Sequence, residues 1–244
     1  MKQLIDYTLY LADNALILSQ RNAEWCGHGP ILEQDIAITN ISLDLVGQAR
    51  SLYQYAATLK ADGSTEDSLA YLRTEREFKN CLLVEQPNGD WAQTMLRQFL
   101  FSCYQYSLYQ QLEKNTDTTI AAIAEKSLKE VSYHLRWSSE WVIRLGDGTD
   151  ESHNRMLKAI EELWRYTGEF FVPADFEKDA EIDFASLKEG WSKKVNTVFA
   201  EATLPVPENT FMQTGGKTGI HTEHLGYILT ELQYLQRAYP GAEW

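Results

Sequence analysis

Basic residues are scarce in this chain. Its 244 residues include 22 Lys and Arg against 35 Asp and Glu, a formal net charge of −13. That balance excludes a protein whose task is to coat nucleic acid, which needs a net positive surface. It equally excludes attachment to anionic lipid through a basic face. Long apolar runs are also missing. No stretch reaches the ~18 uninterrupted apolar residues of a membrane-spanning helix. The N-terminal MKQLIDYTLYLADNALILSQR lacks a continuous apolar core with a small-residue cleavage site, so a cytoplasmic protein is expected. Cysteine is rare: Cys26, Cys81 and Cys103 are odd in number and form no CxxC pair. Zinc knuckles, thioredoxin-like motifs and disulfide scaffolds are thereby excluded, and buried free thiols in a reducing compartment are expected. With six Pro and fourteen Gly against 44% hydrophobic residues, the composition is that of a folded chain.

What is abundant is aromatic residues with a polar handle. Seven Trp and thirteen Tyr outnumber nine Phe. Such rings suit half-buried positions and interfaces as well as cores, and on an acidic chain they point to a standing partner.

The apolar pattern is helical nearly throughout, with almost no period-two alternation. Residues 4–23 place Leu4, Tyr7, Leu11, Ala15 and Leu18 near one stripe, ended by the WCGHGP turn at 25–30. Pro30 sits where a helix can begin, and Ile31, Ile36, Ile38, Ile41, Leu45 and Ala49 feed a run to about Lys60. A shorter helix is expected over 66–84, ended by QPNGD at 86–90. Long helices follow over 91–114 and from NTDT (115–118) to about Leu145. Beyond GDGTD, the pattern predicts helices over 151–171, 183–202 and 221–238, with 172–182 irregular and 204–219 a loop. Four helices longer than 18 residues with short connections predict an all-α bundle. The expected organisation is one domain over 1–244, with a core bundle at about 4–146 and helical additions and loop at 147–244.

Two of these helices carry similar segments. Aligning Leu43–Arg50 with Lys129–Arg136 pairs Asp44 with Glu130, Gln48 with His134 and Arg50 with Arg136, as a duplicated helix pair would. This matters because a ferritin-like carboxylate site takes one Glu from each of two helices and a Glu-x-x-His from each of the other two. The spacing puts both side chains of each pair on one helical face. Here His134 has Val131 three residues before it, and the matching pair is Leu45 and Gln48. Valine and leucine cannot bind metal. Asp44 and Glu130 lie four residues before Gln48 and His134, which leaves a displaced Glu130/His134 site as the rival reading, that of an autonomous di-iron oxygenase. The better-supported expectation is a bundle whose metal positions are degenerate.

Other motifs are weaker. His28 and His153 fit surface or capping positions, while His221 and His224 flank Glu223 as an i,i+3 pair with no third ligand in view. No Gly-x-Ser-x-Gly elbow occurs. Gly215-Gly216-Lys217-Thr218-Gly219 resembles the end of a P-loop, but the position five before Gly216 is Phe211. Such a loop serves as a flexible connection, a phosphate contact or a docking point. In Leu72–Asn80, Arg73, Arg76 and Lys79 recur about every third residue, a positive strip for a phosphorylated ligand or acidic partner unless Glu75 and Glu77 neutralise it.

NAEWCGHGPILEQDIAITNISLDLVGQAR (22–50), LLVEQPNGDWAQTMLRQF (82–99), KEVSYHLRWSSEW (129–141) and TGGKTGIHTEHLGYILTELQYLQRAYPG (214–241) closely resemble the structural ferritin-like subunits of bacterial phenylacetyl-CoA epoxidases, over essentially the whole chain. The resemblance implies a ferritin-like four-helix bundle with additional C-terminal helices. It implies a subunit that has lost its metal ligands and binds no cofactor itself. Its implied partners are a catalytic ferritin-like di-iron subunit and a reductase that brings electrons from NADPH, with O₂ as oxidant. The assembly would epoxidise phenylacetyl-CoA in aerobic phenylacetate degradation. The resemblance further implies CoA-ester binding near Glu77, Phe78, Lys79 and Asn80, with Lys79 on a CoA phosphate and Phe78 against pantetheine or adenine. Lys217 is a second candidate. A CoA-ester binding module is the remaining alternative.

Overall fold

The computed structural model describes residues 1–242; the last two positions of the span assigned to one domain, 243–244, lie outside the described residues. Eight α-helices follow one another: α1 (Lys2–Ala23), α2 (Leu32–Lys60), α3 (Glu66–Tyr71), α4 (Trp91–Leu112), α5 (Thr118–Gly146), α6 (Asp150–Leu163), α7 (Phe184–Glu201) and α8 (Glu223–Ala238). Short 3₁₀ turns join several of them, and the described residues contain no strand. The fold is all-α, with the helix complement of a ferritin-like four-helix bundle and additional C-terminal helices.

The helix starts follow local chemistry. Asp90 accepts from the Gln93 amide at 3.0 Å. The Asp117 carboxylate accepts from Thr119 and Ile120, both at 3.0 Å, and Asp183 caps α7 the same way. Thr65 and Thr149 form capping boxes with Ser68 and Ser152. Each cap satisfies amides the helix cannot, contributing about 1 kcal/mol. Pro30 lies just outside α2, whose N-cap is Ile31.

The chain divides into two compact units. The first comprises Met1–Pro87, Ala174–Ala180 and the chain from Gly215 onward; the second comprises Asn88–Pro173 and Glu181–Thr214. Each contains one long helical hairpin, α1 with α2 in the first and α4 with α5 in the second. In the first unit α1 is enclosed along most of its length, with Tyr10, Ile17 and Leu18 fully buried. In the second, α6 and α7 pack on the α4–α5 hairpin. Five tryptophans serve that second core: Trp91 meets Trp137 and Trp141 edge-on, Trp164 packs on Trp191, and the Trp191 indole donates to the Leu100 carbonyl at 3.0 Å. Gly146 closes α5 where a Cβ would strike the Ala202 carbonyl. Most of the rings that suggested a partner are thus used within the chain, although Tyr227 and Tyr234 on α8 remain 65% and 62% exposed.

The predicted helix over 66–84 is replaced by six-residue α3, a 3₁₀ turn over Glu75–Glu77 and an irregular strap to Gln86. Buried long-range partners, described below, outcompete its helical hydrogen bonds. The helix predicted over 151–171 likewise stops at Leu163 and continues as 3₁₀ turns. Among the cysteines, Cys81 and Cys103 are buried as expected, but Cys26 lies exposed in the α1–α2 turn.

Candidate functional site

The strap over residues 73–86 lies within the first unit, on α1 and against residues 215–222. Its first anchor is Arg73. Instead of joining an outward positive strip, this side chain turns inward and is 8% exposed. Its guanidinium grips both carboxylate oxygens of Asp13 and donates to the Tyr53 hydroxyl at 3.1 Å and the Glu77 carbonyl at 3.0 Å. It also stacks 4.2 Å from the centre of the Phe78 ring. The Asp13 carboxylate further accepts from the Tyr53 hydroxyl at 2.6 Å and the Lys79 amide at 2.8 Å. A buried ion pair is tolerable only when its remaining valences are satisfied, and here both partners are saturated. Burial, followed by the Asp13 charge, pushes the Tyr53 phenol well above its usual pKa, so it remains a donor. Burial alone would lower the Arg73 pKa, but Asp13, Tyr53 and Glu77 together more than reverse this and hold the guanidinium charged.

The second anchor is Glu85, which is fully buried. Its carboxylate accepts from Asn80 at 2.9 Å, His221 at 2.8 Å, and the amide and hydroxyl of Thr222, both at 2.7 Å. Arg21 donates twice to the Glu85 carbonyl, at 3.2 and 2.9 Å. Asn14 accepts from the Cys81 amide at 2.8 Å. Residues from α1 therefore bond the strap on one side, and the 215–222 segment bonds it on the other.

The glycine-rich segment is a packing device in this arrangement. Gly216 lies so close to the Asn80 carbonyl that a Cβ would overlap it, and Gly219, at φ 79°, does the same against the Arg76 carbonyl. Lys217 is 4% exposed and meets both Glu177 oxygens at 3.1 and 2.8 Å, with its ammonium 5.2 Å from the Tyr10 ring centre.

The residues expected at a CoA contact separate accordingly. Phe78 and Asn80 are fully buried. Glu77 is exposed but folds back on Thr74, its carboxylate accepting from the Thr74 amide and hydroxyl at 2.8 and 2.7 Å. These bonds, the backbone one first, hold its pKa below the usual glutamate range. Lys79 is half-buried at the rim, 3.7 Å from Asp6 and 5.4 Å from the Phe176 ring centre. Next to the strap is an open depression of about 570 Å³ lined by Glu75, Arg76 and residues 218–223. Arg76 is exposed there and makes no ion pair among the described residues.

Sequence spacing missed the pairing of Glu85 with His221. His221 and His224 look like an i,i+3 pair, but α8 begins only at Glu223. The usable signal was Thr222 directly before a helix, a capping residue whose hydroxyl proves to be engaged by Glu85.

The positions expected to be degenerate metal sites are placed as follows. On α2, Leu45 is fully buried, Gln48 is 3% exposed and Asp44 is half-buried. On α5, Val131 and His134 are fully buried and Glu130 is half-buried. Arg50 and Arg136 are both exposed, so the two aligned segments share one burial pattern. Beside Glu130, the Tyr109 phenol is pushed up to about 12, chiefly by burial. Two aliphatic side chains and an amide occupy positions where a di-iron site needs charged oxygens and imidazole, so this donor set does not fit one. Among the described residues, no group of three or more His, Cys, Asp or Glu could hold a metal ion.

Residues 1–244 match the model of a family described as phenylacetic acid catabolic protein. The chain belongs to that family. This member is also 49% identical, over 249 aligned residues covering 100% of both chains, to a subunit of the 1,2-phenylacetyl-CoA epoxidase of Escherichia coli (strain K12). Among its described residues, no helix is long and apolar enough to cross a membrane.

Proposed function

We propose that this chain is the structural, non-catalytic subunit of a phenylacetyl-CoA epoxidase, a multicomponent monooxygenase acting in phenylacetate degradation. The observation that carries this is the replacement of metal ligands by Leu45, Gln48 and Val131 inside two intact long hairpins, in a chain so similar to an epoxidase subunit. Such a chain contributes shape where its sister contributes chemistry. The sister is a ferritin-like subunit holding the di-iron centre, supplied with NADPH electrons through a reductase and with O₂. The assembly acts in the cytoplasm, where CoA esters and NADPH are held.

The strap supplies the secondary role, a contact for the CoA ester. Lys79 at the rim and Arg76 in the adjacent depression are the cations available to CoA phosphates. Phe78, Asn80, Glu77 and Lys217 then act on the ligand by holding the strap in shape. The autonomous-oxygenase reading is the weaker one, since no third metal-ligating side chain joins Glu130 and His134 among the described residues.

The direct experiment is reconstitution. The chain alone should show no oxygen-dependent turnover of phenylacetyl-CoA with the reductase, and the sister subunit should reach full activity only when this chain is added. Turnover by this chain alone would overturn the proposal.

A further inference from the structure

Helix α2 is apolar on two opposite faces. Ile38, Ile41, Leu45, Ala49, Leu52 and Ala56 face the core of the first unit and are essentially buried. On the other side, Leu32, Ile36, Leu43 and Val46 are 71%, 52%, 63% and 39% exposed. With about 3.6 residues per turn, positions 32, 36, 39, 43, 46 and 50 fall on one line in alternating steps of four and three. That spacing is the seam by which one helix packs along another. Single exposed apolar residues on a surface need no explanation, but a row from Leu32 to Val46, about 21 Å long at ~1.5 Å per residue and interrupted only by the half-buried Thr39, does.

Gly47 gives an independent indication. It lies mid-helix beside the seam, and a Cβ there would meet nothing within 4 Å. Glycine in a helix interior is destabilising relative to alanine, and no contact within this chain requires it here. A glycine next to a row of apolar side chains lets a second helix approach closely.

We propose that the outer face of α2, from Leu32 to Arg50, is the surface on which the sister subunit of the epoxidase packs one of its long helices. This rests on the reading that the chain is a structural subunit of that assembly. The flanks favour such a partner over a second copy. Glu33 is exposed and Asp35 half-buried beside the seam, Arg50 at the far end is already paired with Glu66 at 2.9 Å, and the chain's net charge of −13 opposes self-association. The fitting occupant is an apolar helix with basic flanks. A cavity of about 360 Å³ continues from Val46 and Arg50 toward Tyr53 and Tyr71, able to take one side chain of that helix. The seam would form the apolar centre of a standard interface, which takes about 800 Å² from each partner, within a polar rim.

The test compares wild type, Leu43→Lys/Val46→Lys and Gly47→Leu in pull-down and titration with the purified sister subunit, with light scattering of each chain alone. Wild type should bind the sister while remaining monomeric alone. Both variants should lose at least 100-fold in affinity with an unchanged or raised melting temperature, since the sites are exposed. If both variants bind as wild type does, the surface assignment falls while the subunit reading stands. If wild type itself fails to bind the sister, the subunit reading falls. Homodimers that are abolished by the variants would assign the seam to a second copy and overturn the choice of partner.

Discussion

His221 faces two proton acceptors at once. Its Nδ1 lies 2.8 Å from the Glu85 carboxylate and its Nε2 lies 3.0 Å from the Phe78 carbonyl. With the Glu85 carboxylate and the Phe78 carbonyl both accepting, both ring nitrogens donate, the hydrogen-bonding pattern of an imidazolium. Burial alone would lower its pKa, but Glu85, assisted by the Phe78 carbonyl and the charge of Asp13, raises it above the ordinary histidine value. The charged groups of this neighbourhood also include Arg73 on Asp13 and Arg21 on the Glu85 carbonyl.

A group with a raised folded-state pKa stabilises fully below its unfolded value of about 6.5, and that contribution disappears as pH rises through the folded value. Urea unfolding from pH 6 to 9 should therefore show the first unit losing stability as pH rises. In His221→Asn this slope should flatten. A slope identical in wild type and variant would remove the imidazolium from the account.

The Asp13–Arg73 pair should be costly to break and cheap to remove. Arg73→Met leaves a buried carboxylate without its cation, at a cost of about 3–5 kcal/mol. Asp13→Asn/Arg73→Met should cost clearly less than the sum of the single changes. Urea denaturation of the four proteins gives the coupling, and additive losses would contradict the geometry.

Gly216→Ala should destabilise the strap by about 1–3 kcal/mol through overpacking against the Asn80 carbonyl. Hydrogen exchange at residues 78–86 is the appropriate readout, with faster exchange expected there and little change in α4 or α5. Unaltered protection would mean that the glycine-rich segment does not hold the strap.

Lys79→Ala should weaken binding of a CoA ester to the assembled complex by about 10-fold or more, corresponding to one charge-assisted hydrogen bond of ~1.5–3 kcal/mol. Arg76→Ala should act in the same direction. Calorimetry on the complex decides it: unchanged affinity in both variants withdraws the strap from ligand contact.

How much of this was legible in the sequence depended on how local the cause was. The four long helices were visible because their apolar rows and caps lie within the segments themselves. The reading of degenerate metal positions rests on equally local chemistry, since Val131 and Leu45 cannot bind metal at the i,i+3 spacing a di-iron site uses. The strap was not. Arg73, Asn80 and Glu85 satisfy themselves on Asp13, on each other and on Thr222, and no local window contains the Asp13 or Thr222 partner. Arg73 reads as part of a positive strip because its spacing to Arg76 and Lys79 is helical, whereas only residues 75–77 form a 3₁₀ turn and Arg73 and Lys79 lie in irregular backbone on either side of it.

Iron per chain tests the central claim most directly. The chain should be purified in complex with its sister subunit under conditions that retain the di-iron centre, then separated and analysed for metal. The account predicts about two irons on each sister chain and essentially none on this one. A stoichiometric pair of irons on this chain would contradict it.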